Sequence, residues 1–207
     1  MECVYVKVDV ERYIREYRDV ERFAEYCKVC PVYASSWSCP PYHNSQELTD
    51  KISSYKYAYI FAYKVAIDDD TRFKASSIEE RTSLTYKILG PVRDFLDNLF
   101  YEMEGRLTTG SLAFFSGRCM RCAPNDCTRI SGVGCVKPDE MRQSLESLGF
   151  DLTRTMSELL DIELKWSTDN SLPEYLMAIP AIFTMDELSE QELGLLRKTE
   201  IEDEISI

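Results

Sequence analysis

The strongest constraint on how this chain can fold is the stretch from Cys119 to Cys135. Four thiols, Cys119, Cys122, Cys127 and Cys135, fall within 17 residues that carry no helical or strand period of their own. A loop of that composition buries little by itself, so its shape depends on whatever its thiols hold. The spacing is C-x2-C-x4-C-x7-C, and a Cys-x2-Cys pair places two sulfurs on one side of a tight turn, where soft or borderline metals are bound. Four such ligands are enough to coordinate every iron of a [4Fe-4S] cluster, and equally enough for one zinc.

A second cysteine-rich stretch lies far upstream, Cys27-Lys-Val-Cys30 followed by Cys39-Pro-Pro-Tyr. Three local ligands leave the shell open. A three-cysteine iron-sulfur site frees one iron for a substrate or partner, and a three-ligand zinc site with an open position can be catalytic. Completion by Cys3, by His43 or by a distant residue would instead make the site structural. The two stretches sharing a single site is a third arrangement. Two features favour iron and sulfur over zinc. The downstream run lacks the repeated C-x2-C of a zinc ribbon, and Cys-Pro pairs occur at Cys30-Pro31 and Cys39-Pro40. The candidate ligands are thus Cys27, Cys30 and Cys39, and Cys119, Cys122, Cys127 and Cys135. Cys3 reads as a buried free thiol in a strand, and His43, the only histidine, as a solvated loop residue.

Charge narrows the partners. A net charge of -12 and a pI near 4.7 argue against nucleic acid and anionic membranes, which are bound through excess Lys and Arg. Around the downstream loop Arg118, Arg121, Arg129, Lys137 and Arg142 stand against Asp126, Asp139 and Glu140. This local excess of positive charge agrees modestly with an anionic cofactor and equally with solvated loop charges. A helix beginning at Pro138 would add its N-terminal dipole. Lys28, Arg118 and Arg121 are candidates for guiding an anionic partner. No basic-apolar leader opens the chain and no apolar run reaches membrane-spanning length, so a cytoplasmic protein is expected. In that reducing compartment eight cysteines at tight spacing read as ligands or redox centres rather than disulfides. A Gly-rich phosphate loop, a Ser-His-Asp set and a His-rich metal motif are all missing.

Taken in order, alternation at Val4, Val6, Val8 and Val10 predicts a strand, and helical spacing from Val10 to Tyr26 predicts one helix delivering Cys27. Tyr55 to Ile67 reads as a central strand. Ser77-Ile-Glu-Glu80 opens a long helix that Gly90-Pro91 should kink or split. Ser111 to Ser116 reads as a short buried strand running straight into the four-cysteine loop. A helix from Pro138 closed by Gly149, a helix over about Thr153 to Leu160, and a hairpin pairing Ile162–Trp166 with Tyr175–Phe183, with an edge or bulge at Pro180, complete the pattern. The sum is a single α+β domain over residues 1–185. Its mixed sheet carries helices on one or both faces and two cysteine-rich metal-binding loops near one end. Residues 186–207 form an acidic, weakly helical tail that frays at Glu200–Glu204.

These residues carry a resemblance. The chain resembles a bacterial and archaeal family of unknown function described as predicted metal-binding proteins. That family joins a C-x(2-4)-C-x2-Tyr…C-P-P segment, here Cys27, Cys30, Tyr33, Cys39, Pro40 and Pro41, to a four-cysteine run, here Cys119, Cys122, Cys127 and Cys135. A Pro and a Gly-hydrophobic-Asp follow, here Pro138 and Gly149-Phe150-Asp151. The chain departs from the pattern in a longer gap between Cys122 and Cys127 in the run, and in Ala34 of the upstream segment, where Gly is common. The resemblance implies metal binding, with iron-sulfur as the expected form, and no assigned reaction. The expected function is electron transfer or redox chemistry with one or two [4Fe-4S] clusters, acting on an unknown redox protein or small molecule. The alternative is a non-enzymatic protein whose zinc sites staple loops while its surface binds a partner.

Overall fold

Ten residues, Tyr57–Ala66, form the strand on which the other elements are assembled (β2). The sequence YAYIFAYKVA alternates small or aliphatic residues with aromatic ones, so its two faces differ. Ala58, Ile60 and Ala62 turn to one core, and Tyr59, Phe61 and Tyr63 to the other. The computed structural model describes residues 1–123, 126–168 and 170–200. Along one edge of β2 runs β1 (Glu2–Asp9), antiparallel, from Glu2 opposite Lys64 to Asp9 opposite Tyr57. Along the other edge lie β4 (Tyr175–Ala178) and β5 (Ala181–Thr184), and β5 in turn pairs with β3 (Ser111–Phe114). Every pairing is antiparallel, which corrects the expected mixed sheet. The architecture is a single α+β domain with five strands and, among the described residues, seven α-helices.

The expected hairpin is also corrected. Residues 162–166 form no strand; β4 and β5 are two pieces of one line along β2, interrupted at Pro180, whose carbonyl accepts from the Phe61 N–H at 3.0 Å. Proline has no N–H to donate, so the ladder is broken there and resumes beyond it.

One face of the sheet is covered by α1 (Val10–Tyr17), α3 (Ser45–Ser53) and α6 (Leu152–Leu159). Tyr13, Phe150, Phe114 and Phe183 meet there, with Tyr13 stacked on Phe150 at 4.8 Å and Phe114 against Phe183 at 4.6 Å. Removing any one of these buried rings should cost about 3–5 kcal/mol. The other face is covered by α5 (Ile78–Arg106), through Val92, Leu96, Phe100 and Met103, and by α7 (Glu190–Leu196), through Leu193 and Leu196. Ser77 and Glu80 form the expected capping box. Pro91 does not split α5, which runs as one helix of 29 residues. α7 also opens on a capping box, Ser189 with Glu192. The expected frayed end lies, from Ile201 on, outside the described residues.

Two predicted helices differ. The segment from Val10 to Tyr26 is not continuous: Arg18 is extended and bridges Phe150, and Asp19 caps a new helix, α2 (Val20–Lys28), by accepting from the Arg22 N–H. The break is enforced from outside, because the Asp19 N–H donates to Gly149 O at 2.8 Å and the Asp151 N–H donates to Tyr17 O at 2.8 Å. Nor does a helix start at Pro138. Only a 3-10 turn, Glu146–Leu148, precedes Gly149, so no helix dipole begins where one was expected.

Gly149 ties these changes together. It sits at φ +93, and a Cβ on it would stand 2.8 Å from the Val20 Cα, a backbone atom that cannot move aside. Gly132, also at positive φ (+71), has nothing within 4 Å. Gly149→Ala should therefore destabilise the protein by about 2 kcal/mol or more and Gly132→Ala by only about 1 kcal/mol. Equal losses for the two in urea unfolding would show that the α2 contact is not a constraint.

Candidate metal centre

The downstream thiols hang from the end of β3, as the sequence predicts, and are held there by the polar side of α5. On that helix Arg93, Asp97, Tyr101 and Glu104 recur at four, four and three residues. They form a stripe offset by one position from the buried Val92, Leu96, Phe100 and Met103. The stripe grips the loop. Arg93 donates to Arg118 O; Arg121 donates to Asn98 Oδ1 and to Asp97 O, with its guanidinium over Phe115 at 5.0 Å and Tyr101 at 5.3 Å. Arg142 forms a two-pronged, largely buried pair with Glu104, whose Oε2 also accepts from the Ala113 N–H at 2.6 Å. Gly117, at φ +83, lies where a Cβ would press on the Arg93 guanidinium at 3.4 Å.

The upstream cysteines follow α2, which ends at Lys28 and so delivers Cys27 into a series of tight turns. The Cys30 N–H donates to Cys27 O, the Tyr33 N–H to Cys30 O, and the Cys39 N–H to Ser36 O, all near 3.0 Å. Ala34 adopts φ 55 within these turns, a conformation that favours glycine. Tyr42 donates to Ser38 O at 2.6 Å and reaches Ser147 Oγ at 2.8 Å, fixing the end of the segment.

The structure brings the two cysteine stretches against each other. Arg129 donates to the carbonyls of Ser36, Cys39 and Pro41 and lies over the Trp37 ring at 5.3 Å. Trp37 donates to Val133 O at 3.1 Å, and the Cys119 N–H donates to Ser38 Oγ at 2.8 Å. All four downstream thiols, Cys119, Cys122, Cys127 and Cys135, line one cavity of about 210 Å3 together with Arg118 and Lys137. Cys27, Cys30 and Cys39 lie close enough that the charges of Cys30 and Cys39 act on Cys27. Among the described residues no group of three His, Cys, Asp or Glu side chains is drawn together at metal-holding distance, and all eight cysteines are free thiols. Cys3 stands elsewhere, beside Tyr63 and Arg197, its thiol raised to about 11 chiefly by burial. His43 is exposed.

Electrostatics follow from burial. Desolvation is the first cause raising Cys27, Cys39 and Cys119, with the charges of Cys30 and Cys39 adding at Cys27 and that of Asp97 adding at Cys119. Arg118 and Arg129 pull the other way at Cys39, and Arg121 at Cys119. Thiols so placed stay protonated until a cation takes the charge. Beneath the loop, burial raises Asp97 to about 7 despite Arg93 and Arg121. Three of these features carry no sequence signal of the kind a cysteine count gives: the Arg129 clamp, the Ser38 acceptor and the acid at position 97. The stripe 93, 97, 101, 104 is the pattern that would have exposed the last.

The raised Asp97 carboxyl has a pH signature. Folded chain holds this proton up to about pH 7, whereas an unfolded aspartate releases it near 3.8. Its contribution is complete below the unfolded value and is lost as pH rises to about 7. Across that window wild-type stability should fall relative to Asp97→Asn by up to about 4 kcal/mol. A difference between the two proteins that stays flat from pH 4 to 7 would show that Asp97 titrates normally.

No helix among the described residues is long and apolar enough to cross a membrane. No curated protein and no solved structure matches the chain. A family model does match, over residues 14–182, a span that takes in both cysteine stretches, the α5 stripe and most of the sheet. The chain accordingly belongs to the family described as predicted metal-binding protein (DUF2284).

Proposed function

We propose that the protein is an iron-sulfur protein of electron transfer or redox chemistry, with Cys119, Cys122, Cys127 and Cys135 holding one [4Fe-4S] cluster. The observation that supports this is the convergence of all four thiols on one cavity whose charged walls are Arg118, Arg121 and Lys137 against Asp126. That setting suits a cluster that stays anionic with four thiolates. When bound, such a group supplies one-electron transfer at a potential set by hydrogen bonds, charge and exposure. The chain's own residues do the rest. Arg93, Arg121 and Arg142 hold the loop to α5, and Arg129 fixes its distance from the upstream turns.

Cys27, Cys30 and Cys39 would hold a second centre with an open position. A carboxyl acting on Cys27 is that of Glu146, whose Oε2 is buried without a hydrogen-bond partner among the described residues. Val29, Ile130, Val133 and Val136 expose apolar side chains on the two loops, at 81%, 61%, 55% and 61%. They favour a protein redox partner that docks over the loops.

Single substitutions test the assignment. After anaerobic expression, Cys122→Ser should lose most visible absorbance and the iron of the downstream cluster, Cys30→Ser only the iron of the upstream centre, and Cys3→Ser neither. Full iron and full colour in Cys122→Ser would remove the downstream ligand set. Zinc without acid-labile sulfide in the wild type would instead leave two zinc-stapled loops and a partner-binding surface.

A further inference from the structure

Away from the thiols, the N-terminal half of α5 holds an arginine for which the cysteine loops have no use. Arg81 is 6% exposed, and its Nε and Nη1 are buried without a hydrogen-bond partner among the described residues. A buried guanidinium left without an acceptor is costly, and is expected where a ligand supplies one. Arg81 lines a cavity of about 270 Å3 whose walls are otherwise mostly hydroxyl-bearing: Thr82, Thr85, Tyr86, Ser167 and Thr168. Guanidinium and hydroxyl donors around a small hollow are the chemistry of an oxyanion site.

This hollow is not isolated. Thr85 and Ser167 also line a second cavity, of about 770 Å3, bounded by α2, α5, α6 and β4. Its walls are chiefly apolar or aromatic, including Phe23, Tyr26, Leu89, Leu176 and Trp166. The size and lining are those of a site for a small organic molecule. Tyr26 precedes Cys27 in the chain, and Glu146 lines the same cavity, so its far wall lies beside the upstream cysteines.

We propose that the two cavities form one site for a small amphipathic anion, with its carboxylate or phosphate on Arg81 and its apolar body in the larger space. The site stands on Arg81 and the cavities alone and does not require the iron-sulfur reading.

Calorimetric titration of the full chain with octanoate, octyl phosphate, inorganic phosphate and 1-octanol tests it. Octanoate or octyl phosphate should bind at least about tenfold more tightly than 1-octanol and than inorganic phosphate, and whichever of the two binds more tightly names the head group. Arg81→Met should weaken that binding about tenfold or more, and Arg81→Lys should keep most of it. Trp166 fluorescence should change with occupancy, because the indole lines the cavity. Octanol binding as tightly as octanoate, or Arg81→Met leaving affinity unchanged, would overturn the site. Inorganic phosphate binding as tightly as octyl phosphate would overturn the role of the larger cavity. If Arg81→Met does not fold, the wild-type comparison of octanoate with octanol decides between the same outcomes.

Discussion

A loop without regular structure still carries one carbonyl and, proline apart, one N–H per residue, and each must find a partner when it is packed against other chain. The two cysteine stretches of this protein meet that requirement with arginine. Arg93 serves Arg118 O, and Arg129 serves the carbonyls of Ser36, Cys39 and Pro41. Arg142 serves those of Asp139 and Met141, and Arg121 anchors to Asp97 O. The guanidinium suits this task because its five donors fan out in one plane and stay charged in every setting. Tight turns shape each loop locally, and the arginine bonds hold the two loops to each other and to α5.

That use of arginine changes the meaning of the local charge. Read from the sequence, five basic residues around the downstream cysteines suit an anionic cofactor. In the structure Arg121, Arg129 and Arg142 are largely committed to the backbone, to Asn98 and to Glu104, and Lys137 pairs with Glu140, while Arg118, Arg121, Lys137 and the acidic Asp126 line the thiol cavity. The charge that remains toward the cavity is smaller than the count suggests, and the architecture built by the rest is larger. The same helix serves both purposes: one stripe of α5 buries apolar side chains against the sheet, and the next stripe, a single position round, holds the cysteine loop.

Much of this was legible in the sequence, for reasons particular to each element. The central strand announced itself because ten nearly apolar residues can only be buried on both faces. The start of α5 was marked by Ser77 and Glu80, whose capping chemistry is local. What could not be read were decisions made by distant residues. The helix from Val10 stops at Tyr17 because Gly149 and Asp151 claim the backbone there, and both lie more than 130 positions away. The helix expected at Pro138 is replaced by turns in which Arg142 reaches Glu104 and Gln143 O accepts from Phe115. The sheet is wholly antiparallel because each strand folds back onto β2 or β5, a matter of topology that strand propensity does not encode. At the candidate centre the thiols were visible from spacing and Arg129 from the local charge, while the clamp Arg129 makes on the upstream carbonyls, the Ser38 acceptor and the Asp97 carbonyl that holds Arg121 were not.

The central claim is that the downstream thiols gather around one cluster while the upstream three hold a separate centre. Anaerobic purification followed by iron, zinc and acid-labile sulfide analysis, with a visible spectrum of the same sample, tests it most directly. The account predicts a coloured protein with iron and sulfide in equal amounts, about eight of each per chain when both stretches are loaded and about four when only the downstream one is. A colourless protein carrying zinc and no sulfide would contradict it.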